Sequence, residues 1–129
     1  MTIALWSLLG ALLLPYAFTT IAKAIHFKRV GKYNNNDPRA FLAGSEGAAK
    51  RAHNAQLNTF EALPGFVAGV LVATHVGAPQ GLLDGLAILW LALRVLYGIA
   101  YIRDWPWFRS IIWGSALTVV CAMFGITLM

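Results

Sequence analysis

Apolar and polar positions fall in long blocks along this chain. Thr2 to Ala22 is apolar almost throughout, about the ~20 residues a helix needs to cross a bilayer's hydrocarbon. Lys23, His26, Lys28, Arg29 and Lys32 follow, then Tyr33-Asn34-Asn35-Asn36-Asp37-Pro38-Arg39. That stretch is rich in turn formers, and Asp37-Pro38 disfavours helix there. Gly44-Ser45-Glu46 reads as a helix start with Ser45 as its cap, and a helix is predicted from Ser45 to His75. Only its second half is apolar enough for lipid. Val76 to Gly81 is a short turn punctuated by Gly and Pro. A third apolar block holds Asp84 near one end and Arg94 inside it. Arg103-Asp104-Trp105-Pro106-Trp107 makes a tight connection whose tryptophans suit a membrane interface. A last block follows, with Gly114, Ser115 and Gly125 as small residues that permit close helix contact. The pattern predicts an all-α membrane protein, a four-transmembrane-helix bundle in one domain over residues 1–129, with spans at about 2–22, 57–75, 82–102 and 108–128.

The placement of charge adds an orientation. All ten Lys and Arg residues lie between the first and second spans or toward the third-to-fourth connection. The 76–81 turn and both termini have none. By the positive-inside rule the 23–50 loop and the 103–107 turn are cytoplasmic and both termini lie outside.

Two polar stripes interrupt the apolar blocks. In Lys50 to Phe66, Arg51, Asn54, Asn58 and Glu61 recur at i, i+3, i+7 and i+10, one face of a helix. In the third span Arg94, Tyr97 and Tyr101 recur at i, i+3 and i+7, at matching depth. A carboxylate and amides entering a bilayer are expensive unless paired, so they default to a functional reading. The two stripes can hold one polar ligand, or Arg94 and Glu61 can form a buried ion pair. One chain has too few helices to surround both stripes, which predicts neighbouring copies.

Composition agrees and removes other classes. The chain is 59% hydrophobic and 12% charged, with mean hydropathy +0.66, against about a quarter charged in soluble domains. The net charge of +5 points to orientation and anionic lipid headgroups; no basic run interleaved with aromatics suggests nucleic acid. The single cysteine, Cys121, excludes an internal disulfide and a Cys-rich metal site, and reads as a small buried hydrophobe. No metal site is predicted, since His53 and His75 stand near opposite ends of one helix. Met1 to Pro15 lacks a basic leader, so it reads as a retained span.

Gln56-Leu57-Asn58-Thr59-Phe60-Glu61-Ala62-Leu63-Pro64-Gly65-Phe66, followed by Arg94-Val95-Leu96-Tyr97-Gly98-Ile99-Ala100-Tyr101, resembles the MAPEG family, membrane-associated proteins in eicosanoid and glutathione metabolism. The likeness covers nearly the whole chain and is closest to a bacterial branch resembling microsomal glutathione transferases. It implies a homotrimer that holds glutathione between subunits near the cytosolic face. It implies glutathione contacts from Asn58, Glu61, Gln56, Tyr97 and Tyr101, with Glu61 receiving the amino group. Arg51 and Arg94 join them as candidate glutathione-binding residues. The thiol-activating arginine of the family matches Arg109, with Arg103 as alternative. The implied activity is glutathione transfer to lipophilic electrophiles, or glutathione-dependent reduction of hydroperoxides. Asn54 stands where mammalian glutathione-using members carry arginine, and Ala62 where some carry tyrosine. Those departures suit the alternative, a non-catalytic lipid-binding or scaffold member.

Overall fold

The computed structural model describes residues 1–129. Helix α1 spans Ile3–Val30. Two side chains cap its start: Thr2 Oγ1 accepts from the Leu5 N–H at 3.3 Å, and Asp84 Oδ1 accepts from the Ala4 N–H at 2.7 Å. A helix end buried among apolar neighbours needs such acceptors for its free N–H groups. Asp84 is therefore an anchor between distant parts of the chain. At the other end the backbone reverses at Gly31, whose φ of 68° is the left-handed conformation that glycine adopts without Cβ strain.

A short helix α2, Pro38–Ala43, follows. Helix was not expected at Asp37-Pro38, yet it starts there. Asp37 Oδ1 accepts from the Ala40 N–H at 2.9 Å, and Pro38 occupies the first turn, where its missing N–H costs nothing. Helix α3 is Gly47–His75, with Pro64 inside it. The expected cap at Ser45 does not form. Glu46 holds the cap position without a side-chain bond, and buried Ser45 donates back to the Leu42 carbonyl at 2.6 Å. Ser45 therefore closes α2 instead of opening α3. Helix α4 is Gln80–Ile102 and α5 is Pro106–Gly125, followed by a single 3-10 turn, Ile126–Leu128.

Four of these helices, all but α2, are long and apolar enough to cross a membrane. With 28 and 29 residues, α1 and α3 run about 42 and 43 Å, beyond the ~30 Å hydrocarbon layer. The excess carries Lys28, Arg29, Lys50 and Arg51 at one end of the bundle, here called the basic end.

The four long helices interlock: α1 packs on α3 and α4, α4 on α5 and α3, and α3 on α5. The α1–α4 crossing requires glycine. A Cβ on Gly98 would overlap the Phe18 ring. Away from the basic end the core is largely apolar, built on Phe66, Val70, Leu83, Ala87, Trp90 and Met123. Phe66 and Trp90 stack at 4.0 Å between centroids, nearly parallel. Toward the basic end the core thins to a small group around Tyr97, Ala100 and Ile112. Cys121, expected to be buried, is exposed on the outer surface of α5. The helical register that buries Ala116, Val119 and Met123 turns Cys121 away from the bundle.

Candidate functional site

The two polar stripes meet where the core thins. Arg94 is fully buried, and its Nη2 donates to Asn58 Oδ1 at 3.0 Å and to Thr59 Oγ1 at 2.9 Å. Asn58 Nδ2 in turn donates to Glu61 Oε2 at 3.3 Å. The donations run Arg94 to Asn58 to Glu61. They settle which way the Asn58 amide faces, because only its oxygen can receive a guanidinium N–H. The Arg94 guanidinium also lies 4.2 Å from the Tyr97 ring centroid and 6.0 Å from that of Trp90. Cation–π contact of this kind strengthens in a dry site. Its Nε and Nη1 have no hydrogen-bond partner.

The expected alternative of an Arg94–Glu61 ion pair is not what forms; the chain's ion pair is Arg29–Glu46, at 2.7 Å on the surface. The reason is register. Asn58 and Thr59 are the α3 residues turned toward Arg94, while Glu61, most of a turn further on, reaches the open side and is exposed.

Tyr97 and Tyr101 meet edge to face at 5.7 Å, and the Arg109 guanidinium lies 4.2 Å from the Tyr101 ring centroid. The N-terminus of α5 thus brings Arg109 against the last turns of α4. That approach depends on the sharp turn at Asp104, whose φ is 61°. The Asp104 N–H bonds the Tyr101 carbonyl at 3.1 Å and the Trp105 N–H bonds that of Ala100 at 2.9 Å, closing α4.

Two hollows open between α3, α4 and α5. One of about 250 Å³ is polar and is lined by Asn58, Tyr97, Tyr101, Arg109, Ser110 and Trp113. The other, about 290 Å³, runs deeper past Glu61 and Arg94 to Trp90, Leu117 and Val120. Asn58 and Trp113 border both, so the two adjoin as one cleft region with a polar part and a more apolar part. Small-molecule sites have this character, apolar walls with a few convergent polar groups.

Of the residues singled out from sequence, Asn58, Glu61, Arg94, Tyr97, Tyr101 and Arg109 line this cleft. Arg51 and Gln56 do not. Arg51 Nε donates to the Ile102 carbonyl at 3.1 Å, tying α3 to the end of α4. Gln56 Oε1 pairs with His53 Nδ1 at 3.0 Å. Arg103 is exposed and outside both hollows, which favours Arg109 between the two candidates. Sequence reasoning missed Thr59, Trp90, Ser110 and Trp113. Trp90 was findable, since it precedes Arg94 by four residues on the same stripe. Thr59 and Trp113 were not, because only the mutual rotation of the helices turns them inward. No three His, Cys, Asp or Glu side chains gather as a metal site.

A family model described as the MAPEG family matches residues 3–129. Comparison with curated proteins and with solved structures finds no match.

Proposed function

The chain belongs to the MAPEG family and is an integral membrane protein, and from its cleft we propose that it is a membrane glutathione S-transferase or glutathione-dependent peroxidase acting on lipophilic electrophiles or hydroperoxides. The observation that carries this is the convergence of Asn58, Tyr97, Tyr101 and Arg109 on one polar hollow that adjoins a more apolar one. Glutathione occupies the polar hollow and extends its ammonium to Glu61 in the adjoining one, where Asn58 holds the carboxylate in place. The lipophilic substrate enters the more apolar part beside Trp113 and Leu117.

Chemically the requirement is a thiolate. A free cysteine thiol has a pKa of about 8.5, and a guanidinium close to sulfur favours the anion. Arg109 supplies that charge. In transfer, the thiolate sulfur bonds to the electrophilic carbon as the leaving group departs with its electron pair. In peroxide reduction it attacks the terminal peroxide oxygen. The O–O bond breaks, the alcohol leaves, and a second glutathione takes the sulfenic sulfur to a disulfide with loss of water. No nucleophile from the protein is required.

Two further features belong to the proposal. Glu61 is exposed on the single chain within an apolar helix, at a cost on insertion scales of about 2.5–3.5 kcal/mol for a charged group at mid-membrane. A homotrimer covers it with a neighbouring copy. The basic end faces the cytoplasm of a bacterial inner membrane, which puts the polar hollow on the side that holds glutathione.

One observation favours a second reading, a lipid-binding or scaffold protein without catalysis. Arg51 is engaged with the Ile102 carbonyl and Asn54 is uncharged, which leaves fewer cations for glutathione's carboxylates. Calorimetric titration of the purified protein with glutathione separates the readings. The enzyme releases or absorbs heat with saturation, and the scaffold gives none.

A further inference from the structure

Arg51 meets the bundle at a carbonyl that no backbone group serves. The last four C=O groups of a helix have no partner within it. At the end of α4 the Ile99, Ala100 and Tyr101 carbonyls accept from the N–H groups of Arg103, Trp105 and Asp104. The Ile102 carbonyl comes next, and no backbone N–H reaches it. The residue one turn on is Pro106, which has no N–H to give. Arg51 Nε supplies the donor at 3.1 Å, across from α3. A cation there also meets the negative end of the α4 dipole.

We infer that Arg51 is a positioning residue for Arg109. It holds the end of α4 on α3, so that the α4–α5 turn keeps the Arg109 guanidinium at the polar hollow. The inference rests on the glutathione reading above, in which Arg109 activates the thiol.

The first support is adjacency. Ile102 follows Tyr101, whose ring centroid lies 4.2 Å from the Arg109 guanidinium. Arg103, Asp104 and Trp105 are all that separate α4 from α5, so a shift of Ile102 carries the start of α5 with it. Asp104 in that turn sits at φ 61°, a left-handed conformation that strains a residue with a Cβ and persists where its surroundings hold it.

The second support is that packing does little to fix this end. Before Thr59, α3 buries only Ala49, Ala52 and Ala55. An alanine methyl makes few of the contacts that lock a larger side chain. Arginines cross the α3–α4 boundary instead. Arg94 reaches Asn58 and Thr59, and Arg51 reaches Ile102 about 10 Å further down α3. Tyr97 and Tyr101, which line the polar hollow, lie between those two ties on α4. Direct binding of glutathione by Arg51 fits less well, since Arg51 lines neither hollow.

The test uses the full chain in detergent and three variants. Arg51→Met keeps the bulk and removes the donors. Arg51→Lys keeps a donor and the charge. Lys50→Met removes the neighbouring exposed cation. Backbone hydrogen exchange is followed without ligand; turnover and thiolate absorbance against pH are followed with glutathione. In Arg51→Met, exchange over residues 100–109 should quicken about tenfold or more, the worth of a charged hydrogen bond. Exchange around Phe66 and Trp90 should not change. kcat should fall about 10- to 100-fold, the cost of a misplaced group. KM should move less than about twofold, and the bound thiol should titrate at higher pH. Arg51→Lys should recover most of each loss, and Lys50→Met should stay within about twofold of wild type.

A raised KM at unchanged kcat overturns the inference and makes Arg51 a glutathione ligand. A lower melting temperature with kcat and thiol titration unchanged also overturns it, because the tie is then purely structural. So does an equal effect in Lys50→Met. The exchange readout needs no glutathione, which keeps the two readings apart. A wild type that forms no bound thiolate overturns the enzyme reading and with it the catalytic role of Arg51. Unchanged exchange over residues 100–109 in Arg51→Met overturns the tie whatever the glutathione result. If Arg51→Met does not fold, Arg51→Gln, which stays polar but falls short of the carbonyl, takes its place.

Discussion

The two ends of the bundle are built on different terms. Away from the basic end, Phe66, Val70, Leu83, Trp90 and Met123 interlock as a continuous apolar cluster. Toward the basic end the same α3 and α4 carry Asn58, Thr59, Arg94 and Tyr97, and the packing there leaves two hollows. Apolar side chains fill space in many rotamers, whereas a guanidinium held by two specific oxygens cannot slide to close a gap. One half is therefore suited to supplying rigidity, and the other to receiving a ligand. Substitutions should separate the halves by what they change.

The largest effect is expected in the apolar half. Leu83→Ala deletes a fully buried side chain and should cost about 2–5 kcal/mol of stability. It should leave the glutathione KM of the folded fraction in place. Thermal unfolding in detergent alongside kinetics checks both, and a shifted KM with an unchanged melting temperature would merge the two halves.

Arg109→Ala comes next. It should lower kcat about 10- to 1000-fold, the range of other electrostatic stabilisers, with little change in melting temperature. Thiolate absorbance of bound glutathione should titrate at higher pH than in the wild type. A bound thiol pKa that does not move returns the role to Arg103.

Glu61→Gln should raise the glutathione KM about tenfold, a charged hydrogen bond's worth, with kcat nearly unchanged. Its contact with the ammonium exists before and during the reaction. A fall in kcat at constant KM would place Glu61 in the chemistry instead. The smallest effect belongs to Thr59→Val. It removes one acceptor from Arg94 while Asn58 keeps the guanidinium in place. Hydrogen bonds between membrane helices average about 0.6 kcal/mol, so the melting temperature should fall only slightly. A collapse of the fold would show that Arg94 depends on Thr59 more than on Asn58.

Glu61 and Arg94 illustrate how far reading the chain can reach. Each was marked by its cost: a charge inside an apolar block is noticed because lipid penalises it. Their depth and their shared end of the bundle follow from spacing alone. Their partners do not. Opposite charges at matching depth suggested a pair, but the rotation of α3 presents Asn58 and Thr59 to Arg94 and sends Glu61 outward. Ser45 and Cys121 were misplaced for related reasons. A serine before a helix is a cap only if the backbone turns there. A cysteine in an apolar run is buried only if the register faces it inward.

From the sequence itself follow the four membrane-crossing helices, the segregation of cations to one end, and the two motifs that mark the family. All of these rest on local quantities, namely hydropathy over about twenty residues, turn chemistry and spacing along one helix. Only the tertiary structure decided that Arg109 and not Arg103 meets the tyrosines, and that Arg51 ties two helices together. It also decided that Thr59 accepts from Arg94, that Trp113 borders the cleft, and that Tyr33 folds back on Lys23. Those outcomes depend on the rotation and crossing of helices far apart in the chain. Side-chain volumes set that geometry, such as the Gly98–Phe18 contact, and no periodicity within a single helix encodes it.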